Sequence, residues 1–284
     1  MQFEEKVITY KEKIVFIKLS MPFFNRTLKS YVEDEACFMF VNKGEVGVRT
    51  PEDYLTLNQS TAMIAKCLNY FFEPTNKKTN DTGVESVGVF IYPSLVKDLF
   101  DLDITTSSHK NNYNVKQVQV DLMLDNFRKS IDILLDNPEL VDDSIIRIKL
   151  KEFVQLMIKS QNGLSELDFL AALFQPNEVE FKKVIKQNLY ANLSNKELAL
   201  LTHLSESSFK RKFKEVFNES PRKYITQKKL ERAAEFLKSN TNRVSDIAYD
   251  VGFDSVSTFN RNFATHYGES PSDYRLNQIG QSLT

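Results

Sequence analysis

The chain is poor in the residues that build many kinds of site. Among its 284 residues there is no tryptophan, and there are two cysteines and three histidines. Cys37 and Cys67 make no disulfide framework, and neither has the spacing of a metal knuckle. The histidines, His109, His203 and His266, all lie outside the strand-rich stretch 7–100. Borderline metals favour imidazole ligands, so a metal-dependent barrel enzyme is not expected, and no metal or cofactor is assigned. No apolar run approaches the roughly 18 residues of a membrane span. The opening MQFEEKVITY lacks the basic-then-apolar layout of a secretion leader, so a cytoplasmic protein is the simplest expectation. A glycine-rich phosphate loop, an HExxH pair and a nucleophile elbow are all missing. Chain order does not decide a Ser/His/Asp constellation. The alternative of a small-molecule enzyme in residues 1–165, with an accessory helical part, therefore stays open.

Charge is divided unevenly. The net charge is −1, yet residues 180–284 hold 17 Lys/Arg against 12 Asp/Glu, while residues 1–179 hold 20 against 26. A net +5 beside a net −6 points to two domains with different partners.

Residues 7–100 read as short strands. KIVFIKL, CFMFVNKGEVGVR and VGVFIY are rich in Val, Ile and Phe, and turn-like stretches separate them, which predicts a sandwich or barrel. From about 117 the rhythm becomes helical. Val118, Leu122, Leu124, Phe127, Ile131 and Leu134 form one stripe; after Asn137–Pro138 a second runs through Ile145, Ile148, Leu150, Phe153, Leu156 and Met157. The spacing predicts an αα-hairpin over about 117–160. Residues 161–177 read as a linker, and 178–284 as helices throughout.

The C-terminal part repeats itself. SESSFKRKFKEVFNESPRKY at 205–224 and SVSTFNRNFATHYGESPSDY at 255–274 agree at nine of twenty positions. Serine, phenylalanine and arginine at alternate places look at first like a strand. A strand would put each Arg on the face of its two Phe neighbours. At about 100° per residue a helix instead gathers Phe209, Phe213, Val216 and Phe217, and likewise Phe259, Phe263, His266 and Tyr267, on one side. Arg211 and Arg261 then face water. Their helix face carries Ser207, Lys210, Arg211 and Lys214 in the first copy and Ser257, Asn260, Arg261 and Ala264 in the second. A solvated polar face explains either copy alone, but solubility does not require an arginine in register twice.

Ser205 and Ser255 suit N-caps. A capping box, Ser194 with Glu197, opens a helix ahead of the first copy, and Ser245 opens one ahead of the second that ends at Gly252. Helix, short turn and helix make helix-turn-helix units over about 194–217 and 245–267. ESPxxY follows each, with Pro at the first helical position. The helix from about 221 to 238 would join the units as a rod of roughly 27 Å.

These residues resemble the DNA-binding domain of the AraC/XylS transcription regulators over about 178–276. The resemblance rests on ELA at 197–199, SxxxFxRxFK at 205–214, NESPxxY at 218–224, LxxAxxxL at 230–237, IAxxxGFxxxSxFxRxF at 247–263 and GESPxxYR at 268–275. Three positions depart from it: Asn218 where Gly is frequent, Lys229 where Arg is common, and Ala264 where Lys is frequent. It implies a sequence-specific regulator, an activator, with RNA polymerase as a further partner and promoter half-sites about one turn apart. Base-reading roles fall on Ser207, Lys210, Arg211, Ser257, Asn260 and Arg261. Lys212, Lys214, Arg222 and Lys223 suit phosphate contacts. The fold class expected is α+β: a cupin-like barrel with a helical dimerisation hairpin over residues 1–160, then the all-α domain. Phe38, Phe40, Phe71, Phe72, Phe90 and Tyr92 either line a pocket for a small apolar ligand or form core. Ile145, Ile148, Phe153, Leu156 and Met157 either form a homodimer seam or pack on the barrel. Control by a regulatory protein instead of a ligand is equally open. His203 and Cys67 receive no role.

Overall fold

The computed structural model describes residues 4–22, 25–29, 35–66, 68–75, 83–160, 164–175, 177–239 and 242–281. Cys67 and, of the expected linker, residues 161–163 and 176 lie outside them. The chain forms two compact units, residues 1–178 and 179–284.

The first unit contains two antiparallel sheets. Six strands, β1 (Glu4–Tyr10), β2 (Lys13–Met21), β4 (Ala36–Lys43), β7 (Thr61–Ala65), β9 (Val84–Ile91) and β10 (Val115–Gln119), stand in the order β1-β2-β9-β4-β7-β10. Four more, β3 (Thr27–Lys29), β5 (Val46–Arg49), β6 (Tyr54–Leu57) and β8 (Tyr70–Glu73), stand in the order β3-β8-β5-β6. Helix α1 (Pro93–Phe100) interrupts the strand-rich stretch, with Pro93 in its first turn. Helices α2 (Leu122–Asp136), α3 (Asp143–Ser160) and α4 (Glu166–Leu173) complete the unit.

Strand alternation sorts the aromatics of β4. Phe38 and Phe40 pair with Val89 and Val87 of β9, while Cys37 and Met39 pair with Phe90 and Gly88. Successive side chains point to opposite faces. Phe38 and Phe40 meet Phe153 of α3 at ring distances of 4.7 and 6.2 Å, and Phe127 of α2 lies 5.1 Å from Phe153. They are therefore core against the helices, which corrects their place in the expected pocket. Polar ties fix α2 on the sheet. Lys18 of β2 reaches Asp132 and Asp136 at 2.9 and 2.8 Å, and the buried Arg128 donates to the Val41 carbonyl.

Three further expectations change. Val118 belongs to β10, where it pairs with Ala62 of β7; five residues are too few for a rhythm to separate strand from helix. Residues 166–173 are no linker. Ser165 caps α4, and Phe169, Leu170 and Leu173 lie in the core of the first unit. Within the expected dimer seam, Phe153 and Met157 are buried in that same core and Leu156 packs partly against it. Only Ile148, 61% exposed, stands clear, with Ile145 half-buried.

Phe153 is the hub of the helix–sheet contact, so Phe153→Ala should cost the first unit about 3–5 kcal/mol in denaturant unfolding. An equally stable variant would show that the ring cluster is not what holds the hairpin down. Lys66 offers a pH test. It is buried, donates to the Gln175 carbonyl at 2.8 Å, and burial lowers its pKa to about 8. From about pH 8 to the unfolded value near 10.5 the unfolded chain holds the extra proton, so stability rises with pH. Stability of the wild type relative to Lys66→Met should therefore climb across that interval and stay flat below pH 7.

Candidate nucleic-acid interface

The second unit is helical throughout its described residues: α5 (Phe181–Gln187), α6 (Asn195–Leu201), α7 (Glu206–Phe217), α8 (Pro221–Ser239), α9 (Val244–Asp250), α10 (Val256–Tyr267) and α11 (Pro271–Gln281). Helices α6–α7 and α9–α10 are the two helix-turn-helix units. The repeat in sequence is a repeat of ring packing. In the first helix-turn-helix Phe209 and Phe213 are fully buried, and Tyr224 closes over Phe213 and Phe217 at 5.6 and 4.5 Å. In the second, Phe259 and Phe263 are fully buried, and Tyr274 closes over Phe263 and Tyr267 at 5.4 and 5.2 Å. The tyrosine of ESPxxY thus seals each three-helix core from the helix that follows.

Capping sets where the reading helices begin. Ser205 accepts from the Ser208 N–H and Ser255 from the Thr258 N–H, and Ser194 with Glu197 forms the complete capping box. Helix α9 starts at Val244 behind Arg243, so Ser245 sits inside its first turn and not at its cap. The reading helices end on left-handed residues, Asn218 at φ 58° and Gly268 at φ 81°. Asn tolerates this conformation, so the departure from Gly leaves the helix stop intact.

The turns between helices are also matched. His203 takes φ 54° and Gly252 φ 87°, and the next residue in each case bonds back to an alanine carbonyl, Leu204 to Ala199 and Phe253 to Ala248. His203 therefore performs the turn that Gly252 performs, a duty the sequence reading did not assign. Asp254 is the extra residue that makes the second turn one longer.

Burying the phenylalanines turns the intervening residues outward. Ser207, Lys210, Arg211, Ser257, Asn260 and Arg261 are all exposed. Lys210 pairs with Glu206 at 2.5 Å, both half in water, a contact too weak to commit the ammonium. The guanidiniums of Arg211 and Arg261 make no ion pair or hydrogen bond among the described residues. Lys212, Lys214, Arg222 and Lys223 are exposed as well; Lys212 lies over the Phe181 ring at 5.3 Å and Lys223 pairs with Glu219 at 2.9 Å. Arg222 and Lys223, at the start of α8, share a groove of 410 Å³ with Asn262, Thr265 and His266 of α10. The structure so brings two of the four expected phosphate residues, Arg222 and Lys223, together with the second reading helix. Thr226 and Gln227 line the same groove. Their only sequence signal was their place in the second turn after Pro221.

Helix α8 belongs to both cores. Tyr224 and Ile225 pack in the first, and Leu230, Ala233, Ala234 and Leu237 in the second. Between these sets the buried Lys229 donates to the Gly252 carbonyl at 2.6 Å and to Asn192 Oδ1 at 3.4 Å. Burial holds its ammonium below the usual lysine range. Asn192 also bonds Asp254, and the Arg232 guanidinium stacks 4.1 Å from the Tyr190 ring. The loop leading into α6 is thereby tied to the turn of the second helix-turn-helix.

Two family models match in tandem. One, described as an ExsA N-terminal regulatory domain, matches residues 36–169; the other, a helix-turn-helix domain, matches residues 198–277. Residues 198–277 thus carry the AraC type of helix-turn-helix domain beside an ExsA-type regulatory domain, as in transcription regulators. The chain's relatives include the probable transcriptional regulator LumQ of Photobacterium leiognathi, 29% identical over 49% of this chain and 54% of LumQ. Another is the virulence regulon transcriptional activator VirF of Yersinia enterocolitica, 26% identical over 48% of this chain and 50% of VirF. The chain spans about half the length of these curated relatives. Among solved structures, ToxT of Vibrio cholerae is 14% identical, with a TM-score of 0.39 over 92% of this chain and 98% of that one.

Lys229 carries a prediction of its own. Lys229→Ala leaves the buried Gly252 carbonyl without its donor, which should cost the second unit about 1–3 kcal/mol in unfolding. Binding to a duplex with both half-sites should weaken more than binding to a single half-site, measured by fluorescence anisotropy. Equal losses on the two duplexes would mean that the tie does not govern the spacing of the reading helices.

Proposed function

We propose that the chain is a sequence-specific DNA-binding transcription regulator, an activator, in which residues 179–284 read DNA and residues 1–178 control the reading. One observation carries this. Two guanidiniums, Arg211 and Arg261, stand exposed and unpaired among the described residues, at the same place on two alike helices joined by one rod. Helix α8, with 19 residues, is roughly 28 Å long. That length suits reading helices in successive major grooves about 34 Å apart on one side of a duplex.

Arg211 and Arg261 would each take guanine O6 and N7 in a bidentate contact, and Asn260 would pair with adenine. Ser207 and Ser257 are short and would read through water, with Lys210 beside them. Lys212, Lys214, Arg222 and Lys223 would hold phosphates and set register. The groove shared by Arg222, Lys223 and α10 supports a backbone track between the two reading helices. Helix α10 has Ala264 where α7 has Lys214, so the first reading helix supplies more of the affinity.

Activation is supported by the names of relatives such as VirF, and makes RNA polymerase the next partner. A cavity in the first unit supports control by a small apolar ligand, with a regulatory protein as the other candidate. Exposed Ile148 beside half-buried Ile145 supports a homodimer through α3. No described helix is long and apolar enough to cross a membrane, and a promoter reader works in the cytoplasm.

Genome-wide footprinting followed by binding to the recovered site tests the reading. Arg211→Ala and Arg261→Ala should each cost about 1–3 kcal/mol and relax preference at one guanine step while the protein stays folded. Lys212→Ala and Arg222→Ala should weaken all sequences alike. With six or more phosphates neutralised, log K against log salt should slope at about −5 or steeper. Unchanged selectivity in the double arginine variant sinks the proposal.

A further inference from the structure

The first unit holds a cavity of 250 Å³ between its two sheets. Both sheets line it: Leu19 and Met39 from the larger, Leu28 and Phe72 from the smaller, with Phe90 beside them. Of the expected pocket residues, Phe72 and Phe90 line this space, whereas Phe71 and Tyr92 are buried elsewhere. An apolar cavity of about 150 Å³ holds benzene. A space of this size suits a molecule of roughly 10–15 non-hydrogen atoms.

Ser86 of β9 lines the cavity and is 1% exposed, yet its Oγ has no hydrogen-bond partner among the described residues. A buried hydroxyl without a partner costs about 1–3 kcal/mol, and an alanine there would avoid the cost. Its position facing an apolar hollow assigns it a partner from outside the protein.

The other polar groups decide the charge of that partner. Lys29 is the lining cation, and Glu35 already neutralises it at 2.6 Å. Glu35 also accepts from the Tyr92 hydroxyl at 3.2 Å. Glu5 adds a carboxylate at the exposed end of the lining. The Tyr70 hydroxyl donates to Cys37 Sγ at 3.5 Å, and burial pushes the Cys37 thiol up to about 11, so the thiol stays neutral. Among the described lining residues a carboxylate ligand would meet no free cation and would have to displace Glu35. An ammonium would be stripped of water in an apolar space whose further carboxylate, Glu5, stands only at the exposed end of the lining.

We infer that the cavity binds an uncharged, mainly apolar molecule of about 10–15 non-hydrogen atoms with one hydrogen-bonding oxygen, an alcohol, ketone or phenol, whose polar contact is Ser86 Oγ. This rests on the reading of residues 1–178 as the controlling unit only for its consequence, not for binding itself.

Calorimetric titration of the full chain with n-nonanol, its methyl ketone analogue and nonanoate tests it. The neutral probes should bind, and nonanoate should bind at least roughly tenfold more weakly, because the lining offers it no unpaired cation. Ser86→Ala should melt at the same or a higher temperature than wild type and bind n-nonanol roughly five- to tenfold more weakly. Tighter binding of nonanoate, no binding of any neutral probe, or equal n-nonanol affinity in Ser86→Ala would each overturn the inference. The ranking of the probes on wild type stands without any variant. If the neutral probes bind as stated and DNA affinity does not change, the control reading fails while the ligand assignment holds.

Discussion

Everything in the second unit depends on how two phenylalanines four residues apart are buried. Phe209 with Phe213, and Phe259 with Phe263, have no exposure at all. On a helix, the residue midway between them points the opposite way. Burial of rings that each carry a large hydrophobic contribution therefore forces Arg211 and Arg261 into water without any contact of their own. The arginines are positioned by what they are not packed against. An unpaired guanidinium in solvent keeps all five donors for a planar acceptor, and that is the state a base-reading arginine needs before binding.

A reading pair is useful only if its two members keep a constant relation. Helix α8 supplies this by being a wall of both cores, and the Lys229 cluster adds a polar lock between the two turns. In this lock Lys229 and Gly252 are buried, and Asn192 and Asp254 are exposed. Gly252 is required there for two reasons: its φ of 87°, and the Tyr190 carbonyl that would lie 2.7 Å from any Cβ. A larger residue would push the two helix-turn-helix units apart where they are joined.

The first unit divides its aromatics by strand parity. Alternate residues of β4 and β9 serve two different spaces, the helix-facing core and the cavity between sheets. The same six aromatics that looked alike in sequence thus have unlike duties. Phe38 and Phe40 anchor the helices, while Phe72 and Phe90 face the hollow with Ser86. In that hollow Lys29 pairs with Glu35 and Tyr70 with Cys37, whereas Ser86 Oγ has no partner among the described residues.

What could be read without coordinates was whatever is local and periodic. The doubled FxRxF spacing, the serine caps, the ESPxxY starts and the departure at Asn218 all act within a turn or two of helix, so their consequences follow from 100° per residue and from capping chemistry. The expected α+β class rested on the same kind of signal. Contacts between distant segments were out of reach. Nothing local says that Val118 will pair with β7, that residues 166–173 will close the first core, or that Phe153 and Met157 will be spent inward and not at a dimer seam. Nor does it say that Lys229 will meet Gly252, or that Ser86 will lack a partner. Those outcomes are set by which apolar surfaces find each other across the whole chain, because burial rewards area without regard to sequence distance.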